Sequence, residues 1–100
     1  MAKPYYAEYV NHILRFYFRY NRNKGFKNEV DKMNYLAADK VIQRVTTHDR
    51  DIVSAVFKQD GINFADNVAV VAAQFGVESG KIWTIISTIT TKVAKERRLL

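Results

Sequence analysis

The chain has no cysteine, one proline and four glycines in 100 residues. The missing thiols exclude disulfides and cysteine-based zinc sites and fit a reducing compartment, so a cytoplasmic location is expected. So little proline and glycine leaves scant material for tight turns, while 48% hydrophobic residues is too much for disorder. A single α-rich domain over residues 1 to 100 is the expectation. Histidine is limited to His12 and His48, far apart in sequence. There is no glycine-rich phosphate loop, and Asp49 and Asp51 lack a partner arrangement, so no metal, cofactor or catalytic centre is expected. No apolar run approaches the ~20 residues of a membrane span, and the opening MAKPYYAEYV lacks the apolar segment of a signal peptide. No membrane partner is expected.

Charge is present and unevenly placed. Residues 1 to 32 hold seven Lys or Arg against three acids, residues 33 to 80 hold four against six, and residues 81 to 100 hold five against one. Two basic ends around a slightly acidic middle suit a polyanion partner, although solvated basic ends also serve solubility alone.

Periodicity divides the chain into five helices. Pro4 to about Tyr20 carries Tyr6, Val10, Ile13, Leu14 and Tyr17 at helical spacing, with Pro4 suited to the first turn. Seven of the thirteen aromatics fall between Tyr5 and Tyr20, interleaved with Arg15 and Arg19 and followed by Arg22, Lys24 and Lys27. Tyr5, Tyr9, Phe16 and Tyr20 lie off the apolar stripe. Such a helix is either buried on two sides or presents one side to a partner, and its arginines and lysines form a second basic patch. After a loop broken by Gly25, Asn28 caps a second helix whose stripe is Val30, Met33, Leu36, Ala37, Val41 and Val45. Thr47 is placed to cap a third helix with Asp49 in its first turn and Ile52, Val53, Val56 and Phe57 inward. Asn63, with Asp66 three residues on, caps a fourth running to about Gln74. The last begins near Ser79 and continues almost to Arg97, with Ile82, Ile85, Ile86, Ile89 and Val93 buried. Its many β-branched residues weaken helix preference, but the apolar spacing is three and four rather than two.

Val68 to Ser87, VAVVAAQFGVESGKIWTIIS, has the pattern of a helix-turn-helix. Ala72 is small where two helices cross, Gly76 tolerates the left-handed backbone that ends a helix sharply, and Val71, Phe75, Val77, Ile82 and Ile85 supply the packed pairs. The expected architecture is all-α, five helices with a C-terminal helix-turn-helix (residues 47 to 98) ending in a long helix, behind an aromatic and basic N-terminal part (residues 1 to 45).

From Thr47 onward this order resembles the promoter-reading C-terminal domain of bacterial sigma factors. There a short helix like THDRDIVSAVF precedes the helix-turn-helix, and a basic recognition helix ends as in KVAKERR. The stretch is also similar to small sigma-like and late-gene activator proteins of phages and mobile elements of Gram-positive bacteria. The resemblance covers the last half of the chain and implies a sequence-preferring DNA-binding regulator of transcription, with double-stranded DNA and RNA polymerase as partners. It implies groove-facing positions Glu78, Ser79, Gly80, Lys81, Trp83, Thr84 and Ser87, and phosphate contacts from Lys92, Lys95, Arg97 and Arg98. The face lacks the Arg, Asn and Gln that most often read guanine and adenine. The alternative is a helical protein-interaction module, a homodimer through the aromatic N-terminal helix or the Trp83 face, in which the corner is only a packing device.

Overall fold

A computed structural model describes residues 4–100. Five helices follow one another: α1 (Ala7–Phe18), α2 (Glu29–Ile42), α3 (Thr47–Lys58), α4 (Phe64–Phe75) and α5 (Ser79–Glu96). No strand occurs among the described residues. The all-α class, the helix number and the long last helix agree with the sequence reading. No helix of the described chain is long and apolar enough to cross a membrane.

Side-chain caps set three of the starts. Asn28 accepts from the Asp31 N–H at 2.9 Å, Thr46 from Asp49 at 3.3 Å and Asn63 from Asp66 at 3.2 Å. Each satisfies a first-turn donor that the helix itself leaves unpaired. The α3 cap is Thr46, not Thr47, which becomes the first helical residue; Asp49 is then third, the position a hydroxyl cap reaches. α1 starts a turn later than expected, because Tyr5 and Tyr6 form a turn across which the Pro4 carbonyl accepts from the Ala7 N–H.

One core draws residues from all five helices. α5 touches each of the other four, and α1 touches α2, α3 and α5. Val10, Ile13, Leu14, Ile52, Val53, Val56, Val68, Val71, Ile82 and Val93 are fully enclosed. Full burial of each such aliphatic side chain contributes about 1.5 to 3 kcal/mol against leaving it in water. The inward residues expected of α1 and α3 are the observed ones, apart from Tyr17, which is half-buried.

α2 departs from expectation. Its buried side is Asn34, Ala37, Ala38, Val41 and Ile42, whereas Val30, Met33 and Leu36 are 51%, 51% and 53% exposed. Two alanines let the helix lie close to its neighbours, and the larger Met33 and Leu36, about a third and nearly half a turn from that side, are left outside together with Val30 of the first turn.

Most of the N-terminal aromatics pack within the molecule, while Tyr5 is 81% and Tyr9 40% exposed. Phe16 and Tyr20, off the main stripe, pack with Phe26 of the following loop and, for Tyr20, Tyr35 of α2, at ring separations of 4.6 to 6.4 Å. Of the four aromatics off the apolar stripe, Phe16 and Tyr20 are thus packed on a second side, whereas Tyr5 and Tyr9 stay at the surface. The Tyr17 hydroxyl donates to Asp39 at 2.7 Å, and the Tyr17 phenol is held well above its usual range by burial and then by that bond. Burial raises Tyr35 as well, with the nearby Asp39 charge adding to it. A second aromatic line, Phe18, Phe57, Phe64 and Trp83, runs from α1 through α3 and α4 to α5.

Candidate nucleic-acid interface

The corner between α4 and α5 is made by Gly76, which sits in the left-handed region at φ 64°, ψ 35°. The N–H groups of Gly76 and Val77 both reach the Ala72 carbonyl, the latter at 3.0 Å. That is the Schellman closure of a helix end. Val71 and Ile82 are fully enclosed, Ala72 is 7% exposed, and Phe75, Val77 and Ile85 are half-buried against the core. Three residues separate the two helices, and Glu78 opens α5 without a side-chain cap.

Burial of Ile82, Ile86, Ile89, Thr90, Val93 and Ala94 fixes which side of α5 faces water. Gly80, Lys81, Thr84, Ser87, Thr88, Lys92 and Lys95 are exposed, with Thr91 half-buried among them. Between Ser79 and Lys95 the helix has three lysines and no carboxylate. The Thr84 hydroxyl donates to the Gly80 carbonyl at 3.0 Å and Thr91 to Ser87 at 3.1 Å. With their protons engaged, these oxygens present acceptor lone pairs, suited to the amine of adenine or cytosine, and their methyl groups suit a thymine methyl.

Arg44, at the end of α2, lines the same groove as Thr84, Thr88 and Lys92, and a second groove with Lys92 and Lys95. Sequence reasoning missed Arg44, Thr88 and Thr91. The two threonines were readable, because four-residue steps from Thr84 and Ser87 land on them. Arg44 was not, since only the packing of α2 on α5 brings it there.

The remaining expected site residues scatter. Ser79 is half-buried in the first turn. Trp83 is 41% exposed but packs edge-on against Phe64 at 5.5 Å and lines a groove with Tyr6, Asn11 and Ile86. Ser87 borders that groove too. Arg97, expected near phosphates, donates from Nε to Asn34 Oδ1 at 2.6 Å, a tie between α5 and α2. Arg98 is exposed beyond the helix end, in the left-handed region at φ 57°. In the second basic patch, Arg19 bonds the Phe57 and Gln59 carbonyls, each at 2.9 Å, and lies 3.5 Å from Asp60. It therefore caps the carbonyl end of α3, the favourable place for a cation. Arg15, Arg22, Lys24 and Lys27 are exposed, but Arg15 lines a hollow with His12 and Phe57 while the other three lie in the α1–α2 loop, so the patch is not one surface.

His12 and His48 stand on different helices, His48 beside the Phe75 ring. Among the described residues no three His, Cys, Asp or Glu side chains gather in a way that could hold a metal ion. Comparison with protein-family models, curated proteins and solved structures finds no match for this chain.

Proposed function

We propose that the protein is a DNA-binding regulator of helix-turn-helix type that lays the exposed side of α5 in the major groove. The observation that carries this reading is the α5 surface after the Gly76 corner: hydroxyls and lysines with no carboxylate on the helix itself between Ser79 and Lys95, bordered by Arg44 and, across the groove, by the single acid Asp49 of α3. Gly80 supports it. Added bulk at this glycine would meet nothing within 4 Å, and its φ is ordinary, so neither packing nor backbone requires glycine there. Alanine would favour the helix by up to about 1 kcal/mol, and the missing Cβ instead lets a groove wall come close to the first turn.

On this reading Lys81, Lys92, Lys95 and Arg44 meet phosphates, while Thr84, Ser87, Thr88 and Thr91 meet base edges. The sigma-like layout adds RNA polymerase as a second partner, which co-sedimentation with the core enzyme tests.

The decisive measurement is fluorescence anisotropy with duplex DNA over a salt series. Three or four neutralised phosphates give a log–log slope of about −2.7 to −3.6, a fall of roughly 40- to 150-fold between about 50 and about 200 mM salt. Lys92→Ala and Lys95→Ala each weaken binding to all sequences alike and lower the slope by about 1, whereas Thr84→Ala changes which sequences are preferred. Gly80→Ala raises thermal stability yet weakens binding. No binding at low salt, or equal binding by the lysine variants, overturns the reading.

A further inference from the structure

The exposed side of α2 is a seam in search of a counterpart. Glu29, Met33, Leu36 and Lys40 follow one another at four, three and four residues, the spacing of a helix–helix seam. All four are exposed. Val30, Met33 and Leu36 leave half or more of their area in water, and a groove beside Met33 and Leu36 continues over Ala37 to Glu96 and Arg97. Singly exposed apolar side chains are ordinary on any surface, but three adjoining ones on one helix form a patch.

We infer that this side of α2 pairs with the same side of a second copy of the chain, the two helices antiparallel about a two-fold axis passing between Asn34 and Tyr35. The order of residues along the seam is what selects a second copy. An acid stands at its N-terminal end, a base at its C-terminal end, and two apolar residues between them. Antiparallel superposition sets Met33 against the partner's Leu36 and Leu36 against the partner's Met33. The same register sets Glu29 against the partner's Lys40 at both ends. A two-fold interface requires this reciprocity, residue for residue. Parallel pairing would instead oppose Glu29 to the partner's Glu29 and Lys40 to the partner's Lys40. Lys40 already lies 3.4 Å from Glu96 of its own chain, with its side chain 59% exposed, so it can meet a second carboxylate without being drawn out of the core.

The seam from Glu29 to Lys40 spans about 16 Å of helix. One helix face of this length covers less than the roughly 800 Å² per partner of a standard interface, so the dimer is a weak one, forming at protein concentrations on the order of 100 µM. It differs from self-association through the aromatic helix or the Trp83 face, where Tyr20 and Trp83 already have ring partners within the chain and no reciprocal order of charges selects a second copy. It does not depend on DNA binding, and its test contains no DNA.

Sedimentation equilibrium over a concentration series should show the mass rising from 11.6 kDa towards twice that value. Leu36→Lys should weaken association at least tenfold while the far-ultraviolet circular dichroism and thermal midpoint stay near those of the parent, because Leu36 is outside the core. Glu29→Lys and Lys40→Glu should each weaken it several-fold, and the double exchange should recover most of the loss, since it restores both cross-pairs in the antiparallel register. A chain that stays at single mass at millimolar concentration overturns the inference. So does association untouched by Leu36→Lys, or a double exchange that associates no better than either single variant.

Discussion

Tyr17 shows how one side chain makes stability depend on pH. Its hydroxyl donates to Asp39 across the α1–α2 contact, and burial together with that bond keeps the phenol protonated well above its usual range. In the unfolded chain the same phenol ionises near pH ~10. Above that pH the unfolded state binds fewer protons than the folded one, so stability is fully present below about pH 10 and falls as pH rises beyond it. Tyr17→Phe removes the bond and should cost about 1 kcal/mol at neutral pH, while flattening the alkaline loss seen in urea midpoints between about pH 8 and 11. An equally steep alkaline loss in Tyr17→Phe would assign it to other groups. Gly61 is a second single-residue constraint. Asn67, 4% exposed, donates its amide to the Gly61 carbonyl at 2.9 Å, and a Cβ on Gly61 would stand 2.3 Å from Asn67 Oδ1. Gly61→Ala should therefore lower stability by about 1 to 3 kcal/mol, measured by chemical denaturation, through displacement of that amide.

At the scale of the element, α5 has two imperfect ends. Glu78 has the extended backbone of a cap residue, φ −75° and ψ 143°, but supplies no side-chain bond. Arg98 holds a left-handed conformation so that the Leu99 N–H can reach the Ala94 carbonyl at 2.8 Å. Glu78→Ser should stabilise by about 1 kcal/mol through a new cap, and Arg98→Gly by about 0.5 to 1 kcal/mol through relief of the backbone. Thermal midpoints check both, and a drop on Arg98→Gly would mean that its side chain makes an offsetting contact. The starts of α2 and α4 and the Gly76 stop were legible because caps and left-handed glycines act within three or four residues, the range over which sequence spacing speaks. The stripe of α2 was not. Val30, Met33 and Leu36 have helical spacing as good as that of Ala37 and Val41, and only the close approach of neighbouring helices decides that alanines rather than the larger residues turn inward. The candidate site divides in the same way. Lys81, Thr84, Ser87, Lys92 and Lys95 follow from the phase of α5, but Arg97 and Arg19 read as free cations until their partners, 63 and about 40 residues distant, are in place.

Across the whole molecule, two polar anchors hold the helices around the shared core. Asn34, 5% exposed, donates to the Tyr9 hydroxyl at 3.1 Å and accepts from Arg97, joining α1, α2 and α5. Arg19 joins the other end of α1 to the close of α3. Ten residues of nearly continuous helix separate Tyr9 from Arg19, about 15 Å, so the anchors share no partner and should act independently. Arg97→Ala leaves the buried Asn34 oxygen only the long 3.4 Å bond from the Tyr9 hydroxyl and should cost about 1.5 to 3 kcal/mol, a bond to a charged donor being stronger than a neutral one. Combined with Asn34→Ala, the loss should fall short of the sum by about 0.5 to 3 kcal/mol, because both variants remove the same bond. Combined with Arg19→Ala, it should equal the sum within about 0.5 kcal/mol. Every variant should still unfold in one transition, since the enclosed side chains come from all five helices and α5 contacts the other four. A separate early transition in Arg97→Ala would instead show that α5 detaches on its own, and the exposed side proposed to read DNA would then rest on an element that the core does not hold.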